Sequence, residues 1–228
     1  MAQSEPVRAR MSHRGVVSLV TLVIATLGAA LPLSMVAPTL AITADQFGTT
    51  AAESSWTLTI VLVVAATTTP VIGRLGDTFG PRLVLLILIP VVMVGLAIAG
   101  LAGSMGELIA GRTLQGLGGG VFPLAIALAR RVVPEAQRPL AVGLLTGTFA
   151  TGTGLGVVIA GILVDRVGTQ ALAWLPFALL AVAGVMTFGL AEAPRADRQP
   201  LHLASSLLLA GGVAILLFAV TEAPHSDA

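Results

Sequence analysis

The sequence predicts an all-α integral membrane protein: a six-helix bundle built as a 3+3 inverted repeat, followed by a seventh transmembrane helix. Three observations predict it. Of the 228 residues, 56% are apolar and 10% charged, against about 45–50% and about 25% in soluble domains. The apolar residues fall in seven runs, each close to the roughly 20 residues needed to cross a hydrocarbon core about 30 Å thick. The Arg residues fall almost entirely in alternate loops. Backbone groups in lipid must be satisfied within the segment, and no run shows sustained apolar/polar alternation, so the runs are read as helices.

Taken in order, residues 1–15 form a cytoplasmic tail carrying Arg8, Arg10 and Arg14. The first run, 16–42, is far longer than the roughly 7–15 apolar residues of a secretory signal, and predicts a retained first helix. Runs 55–72, 83–102, 108–129, 141–164 and 171–190 supply the other five helices of a bundle spanning 16–191. Its repeats cover about 16–102 and 107–191. A cytoplasmic linker, 192–202, contains the polar stretch 195–200. The seventh helix occupies 203–221, and an external tail 222–228 ends the chain. Ten of the twelve Arg lie in one set of alternate loops, and only Arg166 lies in the other. Positive residues stay inside, so the N-terminus is expected in the cytoplasm and the C-terminus of this chain outside. Trp56 and Trp174 fall at the outer ends of their spans, where amphipathic rings favour the headgroup level.

The repeat is visible in the residues. Gly73-x3-Asp77-x2-Gly80 follows span 2, and Gly161-x3-Asp165-x2-Gly168 follows span 5, 88 positions later. Three spans per repeat put the first copy on the inside and the second on the outside, the arrangement of an inverted repeat. Gly and Asp are common turn residues, so the repeat rests on identical spacing and equivalent location.

Several function classes are excluded by what is missing. There is no Cys, hence no disulfide or thiolate metal site. No Gly-Lys-Ser/Thr loop, His-Glu-x-x-His or acidic cluster is present, which leaves no sign of ATP-driven pumping or of a metal. His13, His202 and His225 lie in or near loops. No nucleophile and base set is recognisable, so no catalytic residue, cofactor or enzyme activity is expected. No basic cluster interleaved with aromatics suggests nucleic acid.

Three motifs carry the remaining chemistry. In the Gly73, Asp77, Gly80, Arg82 stretch, glycines permit a tight turn and close helix approach. Asp77 can accept N–H groups at a helix start, and Arg82 can pair with a carboxylate. In span 4, Arg112 lies where an insertion penalty of about 2.5–3.5 kcal/mol makes charges face cavities. Helical spacing places Arg112, Gln115, Gly116 and Gly119 on one face. Either that face lines a cavity, or Arg112 snorkels to the outer headgroups. Span 5 reads Gly143-x8-Gly152-x3-Gly156-x3-Ala160-Gly161, with Gly147 and Gly154 between. Small residues let helices approach closely in a bilayer.

The first motif resembles the signature loop between helices 2 and 3 of the major facilitator superfamily, with Leu83 where a second basic residue is usual. Arg112-Thr113-Leu114-Gln115-Gly116 is similar to that family's helix-4 motif. Span 5 resembles its antiporter motif, with Val157 in place of Pro and Ala160 in place of Gly. The six helices plus a seventh resemble the N-terminal half of the fourteen-helix drug–proton antiporters. Ala29 stands where these commonly have Asp, and no carboxylate lies in the middle of any span.

The resemblance implies proton-coupled efflux of amphipathic small molecules across the cell membrane. It implies a cytoplasmic latch at Asp77 and Arg82 and a coupling or substrate role for Arg112. The implied partners are the lipid bilayer, a small-molecule substrate, the proton as coupling ion and a second six-helix bundle in cis or trans. The rival expectation is a transporter-like membrane protein with a structural or regulatory role and no transport of its own.

Overall fold

The computed structural model describes residues 11–190 and, beyond them, Gly212. The linker, the seventh helix and the C-terminal tail expected over 192–228 therefore lie outside the described residues, Gly212 apart. Within them the fold is helical throughout. Helix α1 (His13–Met35) starts at Ser12, whose hydroxyl accepts from Gly15 N–H at 3.1 Å. A 3-10 turn (Ala37–Thr39) and α2 (Leu40–Phe47) continue it. Helix α3 (Ala51–Phe79) opens with a capping box. Glu53 N–H donates to the Thr50 hydroxyl at 3.2 Å, and Thr50 N–H donates to the Glu53 carboxylate at 2.8 Å. Helix α4 (Pro81–Leu101) follows, then α5 (Met105–Gly116) and α6 (Val121–Val132). Helix α7 (Arg138–Ala171) and α8 (Trp174–Phe188) complete the bundle.

Among the described residues, five helical stretches are long and apolar enough to cross a membrane. They correspond to spans 1, 2, 3, 5 and 6. Span 4 does not form the single helix expected over 108–129. It is two helices of 12 residues joined by a 3-10 turn at Leu117–Gly120. The Gly118–Gly120 run explains the break, because Gly is about 1 kcal/mol poorer than Ala in a helix interior. Span 1 is broken as well. Pro38 has no N–H to continue the ladder, and the Thr39 hydroxyl instead donates to Val36 O at 2.8 Å.

The Gly73–Gly80 stretch, expected as a loop, is mostly helix. Only Gly80 leaves helical geometry, at φ 98° and ψ 135°, and Pro81 then starts α4. Its repeat partner behaves alike: Gly168, at φ 75° and ψ 168°, is the one non-helical residue inside α7. The two glycines that end the two motif copies thus make matching breaks at opposite ends of the bundle.

The packing has the symmetry of the repeat. Exchange spans 1, 2, 3 for 4, 5, 6. The α1–α7 contact becomes that of span 4 with α3, and α4–α5 becomes α8–α1. The α4–α8 and α1–α6 contacts map onto themselves. All of these pairs are packed together. Leu22, Leu85, Ile89, Leu124, Leu128, Leu145 and Leu180 are fully buried in the common core.

Coverage differs sharply between spans. The apolar stretch of the first span is 61% buried, whereas that of α3 is 11% and that of α7 22%. The poorly covered helices, spans 2 and 5, are equivalent in the two repeats. Arg14, Arg74, Arg82, Arg130, Arg131 and Arg138 gather at one end of the bundle, called here the Arg-rich end. Arg166 lies at the opposite end, and Arg112 lies within.

Candidate functional site

Helix α5 begins with Ser104, whose hydroxyl accepts from Glu107 N–H at 3.3 Å, while the Glu107 carboxylate accepts from Gly103 N–H at 2.7 Å. Eight residues after Ser104, a rise of about 12 Å carries the chain to Arg112, inside the bundle. The preceding residue explains how α5 sits there. A Cβ on Gly111 would stand 2.7 Å from both Ala99 N and Gly95 O, so the α4 and α5 backbones touch directly. This is the close approach that small residues permit in lipid.

The Arg112 guanidinium donates through Nη1 to Gln115 Oε1 at 2.9 Å. Gln115 is 3% exposed, and its Nε2 donates to Gly95 O at 3.4 Å. Gln115 therefore relays Arg112 to the backbone of α4. The Arg112 Nε has no partner among the described residues. The one ion pair among them, Arg138 with Glu135 at 3.9 Å, is on the surface. A crevice of about 10 Å³ beside Arg112 is lined by Pro32, Met35, Leu96, Leu172, Ala173 and Pro176, a space near the lower limit for one water. Arg112, half-buried, is thus flanked by α1, α4 and the start of span 6.

The structure does not bring Arg112, Gln115, Gly116 and Gly119 to one polar face. Arg112 and Gln115 pair with each other. Gly116 packs on α3, where an added Cβ would be 2.6 Å from Val64 Cβ and 2.9 Å from Val61 O. Gly119 likewise meets Ala65 and Thr69 of α3. The two glycines admit span 2, and the polar pair faces the other way.

At the Arg-rich end, Gly73 has open space around it, and Gly76 packs on Leu124 of α6. Asp77 does not cap a helix start. It lies in the last turn of α3, exposed and without a partner among the described residues. There its charge opposes the helix dipole. Arg82 pairs with no carboxylate among the described residues. It donates through Nε to Thr187 O at 3.3 Å and through Nη2 to Phe188 O at 2.8 Å, capping the C-terminus of α8.

Along α7 the four motif glycines divide. Gly152 packs on Leu27 and Ala30 of α1, and Gly156 on Leu31 and Ser34. Gly143 and Gly161 meet nothing, and neither do Gly147 and Gly154. Those four are exposed on the uncovered face. Sequence reasoning missed Gln170, whose Nε2 donates to Ala102 O at the end of α4, and Thr169, whose hydroxyl donates to Gln46 Oε1 at 2.6 Å. The repeat spacing could have found the first, because Gln170 stands 88 positions after Arg82.

Comparison with known proteins accords with this geometry. The Major Facilitator Superfamily profile matches residues 22–221. An uncharacterized MFS-type transporter of Bacillus subtilis (strain 168), YvkA, is 32% identical over 199 residues, which is 84% of this chain and 44% of that protein. The tetracenomycin C resistance and export protein of Streptomyces glaucescens is 32% identical over 76% of this chain and 33% of its own length. A uridine/deoxyuridine transporter of Lactococcus lactis is 30% identical over 89% of this chain and 42% of its own. The chain spans less than half the length of each of these relatives. The helical bundle, its inverted repeat and the extent of the match place this chain in the major facilitator superfamily.

Proposed function

We propose that the chain is the N-terminal half of a secondary active transporter, of the fourteen-helix kind, that exports amphipathic small molecules with the proton as coupling ion. The observation that carries this reading is the pair of uncovered faces on α3 and α7. They are the equivalent spans of the two repeats, α7 packed on α1 and α3 on span 4. A second six-helix bundle, supplied in cis or trans, fits against them and leaves a substrate path between the bundles near the midplane. The exposed Gly143, Gly147, Gly154 and Gly161 suit such close helix approach. The extra length of the relatives supports the same reading.

In this scheme Arg112 and Gln115 form the coupling centre inside the bundle. Gly116 and Gly119 hold α3 against span 4. Asp77, unpartnered at the Arg-rich end, is the latch contact with the second bundle, and Gly73 and Gly80 shape its approach. The membrane is the cell membrane, with the Arg-rich end cytoplasmic. The name of the Streptomyces relative supports export. That of the Lactococcus relative favours a second reading, movement of a nucleoside.

The test is flux in proteoliposomes holding the protein with its second bundle. Under an imposed pH gradient, a fluorescent amphipathic probe is expected to move against its concentration gradient, and a protonophore to stop it. Flux indifferent to the protonophore removes proton coupling. Flux of uridine without flux of the amphipathic probe selects the second reading.

A further inference from the structure

Two side chains, 88 positions apart, do the same thing at opposite ends of the bundle. Arg82, at the start of α4, donates to Thr187 O and Phe188 O at the end of α8. Gln170, just before α8, donates to Ala102 O at the end of α4. Helices α4 and α8 are therefore antiparallel neighbours, each carrying at or just before its start the cap for the other's terminal carbonyls. The last carbonyls of a helix have no partner within it, so each clasp satisfies groups that would otherwise be orphaned.

We propose that Gln170 is a positioning residue that holds the Arg-poor end of the α4–α8 pair closed, as Arg82 holds the Arg-rich end. This goes beyond the transport reading and does not depend on it. The chemistry differs between the ends for a physical reason. A cationic donor belongs on the side where positive residues are retained. On the other side a neutral amide supplies the donor without opposing insertion. The turn that carries Gln170 is tied further. Gly168 breaks helical geometry at φ 75°, and Thr169 donates to Gln46 Oε1 at 2.6 Å. The three-residue turn thus joins the ends of spans 1, 3 and 5 at one point. With both clasps formed, α4 and α8 move as one body, and each end opens only when its own clasp is released.

The structure supplies a reporter. Trp174 begins α8 and packs on Gly100 near the end of α4, where an added Cβ would stand 3.2 Å from the indole. With Trp56→Phe it becomes the sole tryptophan, readable by acrylamide quenching of the chain in lipid nanodiscs. A second reporter, Phe188→Trp with Trp56→Phe and Trp174→Phe, reads the Arg-rich end. Gln170→Leu is expected to raise quenching at Trp174, with a roughly fivefold rise in the open fraction, and to leave the Phe188→Trp reporter unchanged. Arg82→Leu is expected to do the reverse. Gln170→Arg retains a donor and should keep the wild-type quenching. A general loss of structure would move both reporters together, and that result overturns the proposal, as does unchanged quenching at Trp174. If Gln170→Leu fails to insert, Gln170→Glu decides. It is nearly isosteric but turns an oxygen toward Ala102 O, and wild-type quenching in it would equally overturn the assignment.

Discussion

Gly111→Ala tests how the Arg112 centre is built. The new methyl would stand 2.7 Å from Ala99 N and Gly95 O and 3.1 Å from Ala99 Cα. These are backbone atoms, which cannot swing aside as a side chain can. Reaching ordinary contact at 3.4 Å requires α5 and α4 to separate by about 0.7 Å. The Gln115 Nε2–Gly95 O bond is already 3.4 Å long, so it is lost. Three terms decide the outcome. Helix propensity favours Ala by about 1 kcal/mol. Overpacking costs about 1–3 kcal/mol, and leaving the buried Gln115 amide unpaired about 1–3 more. The net destabilisation is about 3 kcal/mol, or about 6–12 °C in melting temperature for a chain of this size. Circular dichroism melting in detergent micelles measures it. Gly147→Ala is the control, since it lies in the interior of α7 with nothing within 4 Å, and it should melt at or slightly above the wild type. If Gly111→Ala melts with Gly147→Ala, the direct backbone contact of α4 with α5 is refuted.

Gly80→Ala should destabilise the chain by about 1–3 kcal/mol, the cost of a side chain in a region open to glycine, although nothing crowds that position. Gly73→Ala, helical and uncrowded, should not, and the same melts compare them. Asp77→Asn should leave the melting temperature unchanged or raised, because a charge opposing a helix dipole is removed at about 0.3–1 kcal/mol. In proteoliposomes holding the second bundle it should nevertheless impair flux, and wild-type flux would remove Asp77 from the latch. Arg112→Ala should abolish that flux and Arg112→Lys restore only part of it, because a Lys ammonium does not reproduce the placement of the Nη1 donor on Gln115 Oε1. Full activity of the Ala variant would end the coupling role.

What was legible in the sequence follows the range of each interaction. Apolar run length sets the spans, and α4 at Pro81–Leu101 lies within two residues of its expected bounds. The pairing of Arg112 with Gln115 follows from their i, i+3 spacing. The place of Asp77 was misread as a helix start because Gly73 and Gly76 look like turn residues. In the fold α3 continues through both, and Gly76 is retained for the approach of Leu124. The stop comes only at Gly80-Pro81, a positive-φ residue followed by the residue favoured at a helix start. The surroundings of Arg112 are not legible, because Pro32, Leu96 and Pro176 come from three helices distant in sequence. The division of the α7 glycines into packed and open sets depends on which neighbour α1 presents, and no local pattern encodes that.

The 3-10 turn in span 4 has a geometric consequence of its own. A 3-10 helix advances about 120° per residue and an α-helix about 100°. Over the four residues of Leu117–Gly120, α6 is therefore turned by about 80° relative to an uninterrupted continuation of α5. That phase shift lets one span aim Gly111 at α4 in its first half and bury Leu124 and Leu128 in the common core in its second. Removing one glycine from the run would rotate the whole of α6 by a further third of a turn or so and withdraw both leucines from the core, while the length and apolarity of the span stayed almost the same.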